Sequence, residues 1–421
     1  MPKVAFYTLG CKVNQYETEA MIRDFLKYGF EIVNFNDSAD VYVINTCTVT
    51  TASDNKSRQA IRVALNRNPS AITVASGCYV NWAKDRLSEL GCHLVLTNEE
   101  KPNLTKMVIS QYFPLTQQIS CVPSGKQLYH TRALLKVEDG CDQFCTYCIV
   151  PYVRGKPQSR SFACVIEEAS KLAEAGVKEI VLSGIRLGKY GLDLDNKKNL
   201  VYLLEELSEF KNLKRIRLSS IEVNEVTSDL IYLLKDNPKF CRHLHIPLQS
   251  GSNRILSAMN RGYTRKDYLE LIENLKNSIP EIAITTDVIV GFPNESRENF
   301  LETRNLIEEV GFRKLHVFKY SPRPLTKAFD FKDNVCFAEK KERSDELILL
   351  GKSLAQDYVR KFMGRKLEVL VEKEGKEGYL TGLTDNYIRV YFKGEKSLKG
   401  RMVKVMTNQI KEDTLFGEVL S

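Results

Sequence analysis

The sequence predicts an α/β protein in three parts: a parallel α/β sheet domain (residues 1–125), a central partial barrel of six strand–helix units (126–357) and a small C-terminal antiparallel β-barrel (358–421). Three observations predict it. Short apolar runs alternate with helical stretches at the start of the chain. The same alternation repeats six times in the central segment. Beyond it, helical spacing stops and short β-type runs with polar turns take over.

Taken in order, VAFYTLG (4–10) suits a buried strand, and EAMIRDFLKYG (19–29) has helical spacing and ends at Gly29, a favoured C-cap residue. VYVINT (41–46) is a second strand, DNKSRQAIRVALNR (54–67) a helix carrying Lys56, Arg58 and Arg62, and AITVASG (71–77) a third strand. In the central segment the strands are LLKVEDG (134–140), EIVLSG (179–184), RIRLSSIE (215–222), HLHIPLQ (243–249), AITTDVIVGF (283–292) and KLHVFKYS (314–321). Six consecutive units form a partial TIM-like (β/α)6 barrel, whose site belongs at the C-terminal strand ends. LEVLVEKE, EGYLTGLTDNYIRVYFK and RMVKVMTNQIKEDTLFGEVL read as strands of an OB-like barrel.

Composition sets the setting. The 421 residues are 43% hydrophobic and 27% charged, ordinary for a soluble globular protein. No apolar run approaches the roughly 18–20 residues of a membrane helix, and MPKVAFYTLGC lacks the layout of a signal peptide. The expectation is a cytoplasmic protein with no membrane part. A net charge of +8 permits a polyanionic partner. Eleven cysteines in a reducing compartment point away from disulfides and toward metal binding, catalysis or burial.

Two groups of cysteines stand out. Cys11, Cys47 and Cys78 each follow one of the first three predicted strands. Ligands of open parallel sheets gather beyond the strands' carboxyl ends, so the three can converge. Burial explains any one of them, but gives no reason to repeat one residue type at one topological position. Cys141, Cys145 and Cys148 are spaced CxxxCxxC in VEDGCDQFCTYCIVP, just after the first barrel strand. Thiolates at such spacing hold iron–sulfur clusters, and three ligands on a four-iron cubane leave one iron open. Structural zinc with Cys164 as fourth ligand is the competing reading.

The CxxxCxxC motif at the end of a first barrel strand resembles the radical S-adenosylmethionine (SAM) superfamily, with Tyr147 as the aromatic before the last cysteine. GCKVNQYETE (10–19), INTCTVTTASDNKSR (44–58), SGCYV (76–80), IVPYVRGKPQSR (149–160), HIPLQSGSNRIL (245–256), DVIVGFPNE (287–295) and FKYSPR (318–323) resemble the methylthiotransferases within it. The ending resembles the TRAM module, an RNA-associated barrel. The opening TLGCKVNQYETEAM looks most like the branch that modifies N6-threonylcarbamoyladenosine at tRNA position 37.

The resemblance implies two 4Fe–4S clusters, one on Cys141, Cys145 and Cys148, the other on Cys11, Cys47 and Cys78. It implies two SAM molecules: one methylates sulfur carried by the second cluster, and one is cleaved to the radical that activates the substrate carbon. The net change is C–H to C–S–CH₃. The implied partners are a tRNA anticodon loop, an electron donor such as flavodoxin or ferredoxin, and a sulfur donor. For SAM contacts, Tyr147, Ser183, Gly184, Ser220, Glu222 and Gln249 lie in the motif or at strand ends. A strand-to-loop turn or a capped loop explains the strand-end residues as well.

For RNA, Arg58, Arg154 and Arg160 are the basic candidates, with Lys56, Arg62, Lys211, Lys214 and Arg215 and the C-terminal barrel, which has twelve basic against nine acidic residues from Lys361 onward. Solvated surface charge is the competing reading. His245 reads as strand packing, and Cys92, Cys121, Cys164, Cys241 and Cys336 as packing cysteines. Residues 321–328 (SPRPLTKA) depart from the family's usual Gly-Thr-Pro stretch and read as remote from the chemistry. GxxxxGK[ST] is absent, so nucleotide hydrolysis is unsupported. The competing functions are the same chemistry on a protein residue or on another tRNA adenosine, and a non-catalytic zinc protein that binds RNA.

Overall fold

The computed structural model describes residues 1–114, 131–195 and 198–420. These form two compact units that do not follow the linear order of segments. One takes the described part of residues 1–128 together with 139–156 and 321–329; the other takes the described part of 129–138, 157–320 and 330–421.

The first unit is built on five parallel strands, β1 (Lys3–Thr8), β2 (Glu31–Val33), β3 (Val41–Thr46), β4 (Ile72–Gly77) and β5 (Leu94–Leu96), in the order β2-β1-β3-β4-β5. All six residues of central β3 are buried, as a parallel strand covered on both faces requires. Ala5, Tyr42, Ile44, Ile61 and Tyr79 pack on one face. Val4, Phe25, Val43, Val74 and Leu104 pack on the other. The covering helices are α1 (Lys12–Lys27), α2 (Thr51–Arg67), α3 (Val80–Ser88) and α4 (Leu104–Tyr112), and the short α5 (Val150–Arg154) joins them from the cysteine-rich loop. β2 and β5 escape sequence reading because three residues carry too little pattern.

The second unit contains all six expected barrel strands: β6 (Arg132–Lys136), β7 (Glu179–Ser183), β8 (Arg215–Leu218), β9 (His243–His245), β10 (Ala283–Val290) and β11 (Lys314–Lys319). They form two parallel sheets, β8-β7-β6 and β9-β10-β11, linked by single bridges such as Ser220 to His245. Helices α6 (Phe162–Glu174), α7 (Leu200–Ser208), α8 (Ser228–Asp236), α9 (Asn253–Ala258), α10 (Arg265–Ser278) and α11 (Arg297–Val310) alternate with the strands. Ser161, Asn199 and Thr227 cap α6, α7 and α8 through their side chains. Thr264 and Ser296 open α10 and α11 with reciprocal capping boxes. The 24-residue α12 (Phe337–Arg360) leads to the C-terminal module.

That module closes as β12 (Lys366–Glu374), β13 (Tyr379–Leu383), β14 (Arg389–Lys393), β16 (Thr414–Val419) and β15 (Met402–Lys411). One point corrects the expectation of an antiparallel barrel: β14 and β16 pair in parallel from Val390–Leu415 to Lys393–Glu418. This pairing seals what would be an open edge.

The C-terminal module plugs the N-terminal end of the six-stranded barrel. Arg217 donates to the carbonyls of Asp385 (2.9 Å) and Thr384 (3.1 Å), and to Glu179 at 2.7 Å. Arg215 donates to the carbonyls of Leu383 (2.9 Å) and Glu368 (2.8 Å). Tyr387 stacks on His243 at 4.4 Å. Arg215, expected among RNA contacts, is therefore a buried floor residue with no surface to offer. Burial pushes the Glu179 carboxyl up, but Arg217, Arg132 and Arg215 outweigh it and hold it below its ordinary range. Stability from this group is thus present at neutral pH and lost on acidification through its lowered value. Glu179→Ala, which strands two buried guanidinium groups, is expected to destabilise this unit by about 3–5 kcal/mol; an unchanged urea midpoint would contradict the plug.

Candidate cysteine sites and the barrel mouth

Cys11, Cys47 and Cys78 follow β1, β3 and β4, which are consecutive neighbours in the sheet. Their chain ends therefore align. Cys47 and Cys78 are buried and Cys11 is exposed. Burial raises the Cys47 thiol to about 11, and the nearby Cys78 and Cys11 push the same way. Gly10 makes the approach possible: at φ +104°, a Cβ there would stand 3.1 Å from Cys47 Cβ and 3.2 Å from its Sγ.

Cys141, Cys145 and Cys148 lie in a loop that closes on itself. Cys141 N–H donates to the Gly155 carbonyl and Cys148 N–H to the Cys145 carbonyl, both at 2.9 Å. Gly140, φ +91°, lies where a Cβ would strike the Lys156 carbonyl at 2.1 Å. Cys145 is buried, while Cys141 and Cys148 are half-buried, as is Tyr147. Ile149 and Val153, just beyond the loop, pack on Cys78 and Trp82. Asn98 Nδ2 donates to the Val153 carbonyl at 2.9 Å. Both trios thus belong to one compact unit.

Arg154 joins them. Its side chain is 1% exposed. Nε donates to Cys78 Sγ at 3.2 Å, one terminal nitrogen bonds Asp139 at 2.7 Å and Glu17 at 3.2 Å, and the other bonds Asn14. Burial alone would lower the guanidinium's proton affinity; Cys78, Glu17, Asp139 and Cys11 outweigh it. This corrects the reading of Arg154 as an RNA contact, because no solvent-facing surface remains. Arg160 is also engaged internally, with the Lys136 carbonyl and with Glu168 at 2.7 Å each. Arg58 is half-buried, lying over the Tyr79 ring at 5.7 Å and bonding its hydroxyl.

Residues 321–329 are not remote from the cysteines. Arg323, 2% exposed, donates to Asp54 at 2.6 Å and to Thr48, next to Cys47, at 2.8 Å. It lies over Trp82 at 5.5 Å. Ala328 N–H donates to the carbonyl of Thr146, between Cys145 and Cys148, at 2.7 Å. One strap therefore touches both cysteine loops. Sequence reading missed Asn14, Glu17, Asn98, Asp139 and Arg323, whose only signal is their closeness in sequence to a cysteine or to a family motif.

The remaining cysteines divide. Cys241 is buried as expected, Cys92 is half-buried, and Cys121 lies outside the described residues. Cys164 and Cys336 are exposed helix-start residues, not packing cysteines. Cys164 belongs to the barrel unit and its N–H bonds Ser161. Among the described residues, no three thiols gather within 4.8 Å. One tetrahedral zinc with bonds of about 2.3 Å would need its sulfurs at roughly 3.8 Å. Two sets of three soft sulfur donors suit iron–sulfur clusters.

At the barrel's C-terminal strand ends, Ser183 is buried with its hydroxyl near the Val181 carbonyl at 3.4 Å. A Cβ on Gly184 would meet Glu138 Oε2 at 2.7 Å, so the group that glycine admits in this structure is the Glu138 carboxylate. Ser220 is half-buried. Glu222 is ion-paired with Arg261. Gln249 is buried at φ +61°, fastened to Asp287 and Ile289 by backbone bonds of 2.9 Å. A non-glycine residue held there marks a tightly determined turn. His245 is not wall packing; it faces inward beside Asp287.

Comparison with known proteins decides the family. Residues 3–97 match the uncharacterized protein family UPF0004, 135–307 the radical SAM superfamily, and 360–420 the TRAM domain. The threonylcarbamoyladenosine tRNA methylthiotransferase MtaB of Bacillus subtilis is 42% identical over 96% of this chain and 93% of its own length. Its Aquifex aeolicus counterpart is 40% identical over 96% of this chain and its full length. The chain belongs to the radical SAM methylthiotransferase family. A tRNA-2-methylthio-N(6)-dimethylallyladenosine synthase of Thermotoga petrophila is 33% identical over 98% of this chain and 96% of that protein. Among solved structures, the radical SAM methyltransferase TsrM of Kitasatospora setae shares the fold, with a TM-score of 0.57, 15% identity and coverage of 78% and 77% of the two chains. No helix among the described residues is long and apolar enough to cross a membrane.

Arg154→Ala leaves Glu17 and Asp139 facing each other without their shared cation. It is expected to destabilise the first unit by about 3–5 kcal/mol, and adding Asp139→Asn should recover part of the loss, since Glu17 keeps Lys101 at 2.6 Å. Thermal unfolding measures both; a neutral Arg154→Ala would contradict the clamp.

Proposed function

We propose that this chain is a tRNA methylthiotransferase that replaces C2–H by a methylthio group on N6-threonylcarbamoyladenosine at position 37. The observation that carries the reading is the pair of cysteine trios in one unit, one in a CxxxCxxC loop and one at three neighbouring strand ends. The names of the 42% and 40% identical relatives support the substrate. When bound, two 4Fe–4S clusters and SAM supply an open iron at each trio, a soft sulfur carrier, a methyl group and one-electron activation of a C–H bond.

The chain's own residues do the rest. Cys141, Cys145 and Cys148 would hold one cluster, and Cys11, Cys47 and Cys78 the other. Arg154 offsets thiolate charge at Cys78, and Arg323 holds the Thr48 hydroxyl next to Cys47. Tyr147, Ser183, Gly184, Ser220 and Gln249 are proposed to orient SAM, with Glu222 held for the same task by Arg261. RNA contact is assigned to the C-terminal barrel, where Tyr391 and Phe416 stack at 5.3 Å and Lys393 lies 5.9 Å over Tyr379. Half-buried rings flanked by lysine suit single-stranded RNA. The electron donor is assigned to the flavodoxin or ferredoxin class, and the setting to the cytoplasm. A second reading, the same chemistry on a dimethylallyl-bearing adenosine, is supported by the 33% identical relative.

Mass spectrometry of tRNA nucleosides from cells lacking the protein tests the reading. Loss of the methylthio form of threonylcarbamoyladenosine is expected; unchanged tRNA would refute it. Cys145→Ala should abolish 5′-deoxyadenosine production. Cys47→Ala should retain it but make no methylthio product; methylthiolation by Cys47→Ala would overturn the division of roles.

A further inference from the structure

Strand parity separates the wall of the barrel from its interior. Ala133, Leu135, Ile180, Leu182, Ile216, Leu218, Leu244, Ile284 and Val288 all belong to the apolar core shared with the helices. The residues between them face the lumen. At the bottom these are the arginines and Glu179 of the plug. Above, three neighbouring strands contribute His245, Asp287 and His316, whose ligand atoms lie within 4.8 Å of one another. Thr285 Oγ1 is 3.0 Å from His245 Nδ1, which leaves Nε2 facing Asp287 at 3.3 Å. His316, in register with Asp287 on the edge strand, is exposed and lies 5.9 Å from the His245 ring.

A closed barrel fills such layers with branched aliphatic side chains. Here the layer is polar above a sealed floor, with His245 and Asp287 half-buried and His316 exposed. We propose that His245, Asp287 and His316 form the subsite that reads a carboxylate- and hydroxyl-bearing amide substituent on the substrate base. This rests on the substrate class proposed above. Asp287 accepts from the substituent's hydroxyl or amide N–H, with His245 holding it through Nε2. The His316 imidazole donates to the carboxylate. A dimethylallyl group offers none of the three a donor or an acceptor, which is how hydrogen-bonding sites reject apolar analogues.

The test compares two anticodon stem-loop RNAs, one with threonylcarbamoyladenosine and one with dimethylallyladenosine at position 37, on the reconstituted full chain. The readout is the ratio of their kcat/KM values. His316→Phe on its exposed edge strand, and the isosteric Asp287→Asn, should each lower that ratio roughly 10- to 100-fold, with the loss falling on the threonylcarbamoyl RNA. Equal loss on both RNAs, an unchanged ratio, or a stoichiometric non-iron metal that His316→Phe removes would overturn the subsite. Failure of the wild-type chain on the threonylcarbamoyl RNA would instead refute the substrate class.

Discussion

Six thiols gathered in one compact unit repel as they ionise and resist burial, and the structure depends on how that is offset. Arg154 offsets it at Cys78 and Cys11. It ends the short helix α5 beyond the CxxxCxxC loop, reaches Cys78 at 3.2 Å and is neutralised in turn by Glu17 and Asp139. A buried cation so placed gives little net stability against an apolar replacement, but its removal is severe. Its use is geometric: it ties residues before Cys141, after Cys148, beside Cys11 and at Cys78 to one planar group whose donors are fixed in direction. Arg323 repeats the device on the other side, at Thr48 and Asp54.

The barrel unit solves a different problem by related means. A six-stranded barrel is open and cannot pack its interior with aliphatic layers as a closed eight-stranded one does. The chain seals the lower end with a turn of the C-terminal module held by Arg215, Arg217 and Glu179. The TRAM module is therefore fixed to the barrel by buried polar bonds, not merely tethered, and the lumen above is lined by His245, Asp287 and His316.

Much of this was legible in the sequence. All six barrel strands and three of the five N-terminal strands carry apolar runs long enough to read, and both cysteine trios are visible from spacing and position. What was not legible depends on contacts distant in sequence. Arg154, Arg160 and Arg215 look like surface cations because type says nothing about burial; only partners such as Glu17, 137 residues from Arg154, reveal otherwise. Residues 321–328 looked remote because they follow the last barrel strand, yet Arg323 reaches Asp54 across 269 residues. The parallel β14–β16 pairing was hidden because hairpin signals report only local antiparallel neighbours. His245 looked like packing because alternation in a three-residue strand cannot show which face is open.

The central claim is that each trio holds its own cluster. Iron and acid-labile sulfide, counted after anaerobic reconstitution of the wild-type chain and of two triple variants, test it most directly. One variant replaces Cys11, Cys47 and Cys78 by alanine, the other Cys141, Cys145 and Cys148. About eight irons are predicted for the wild type and about four for each variant. About four irons in the wild type, or zinc in place of iron, would contradict the account.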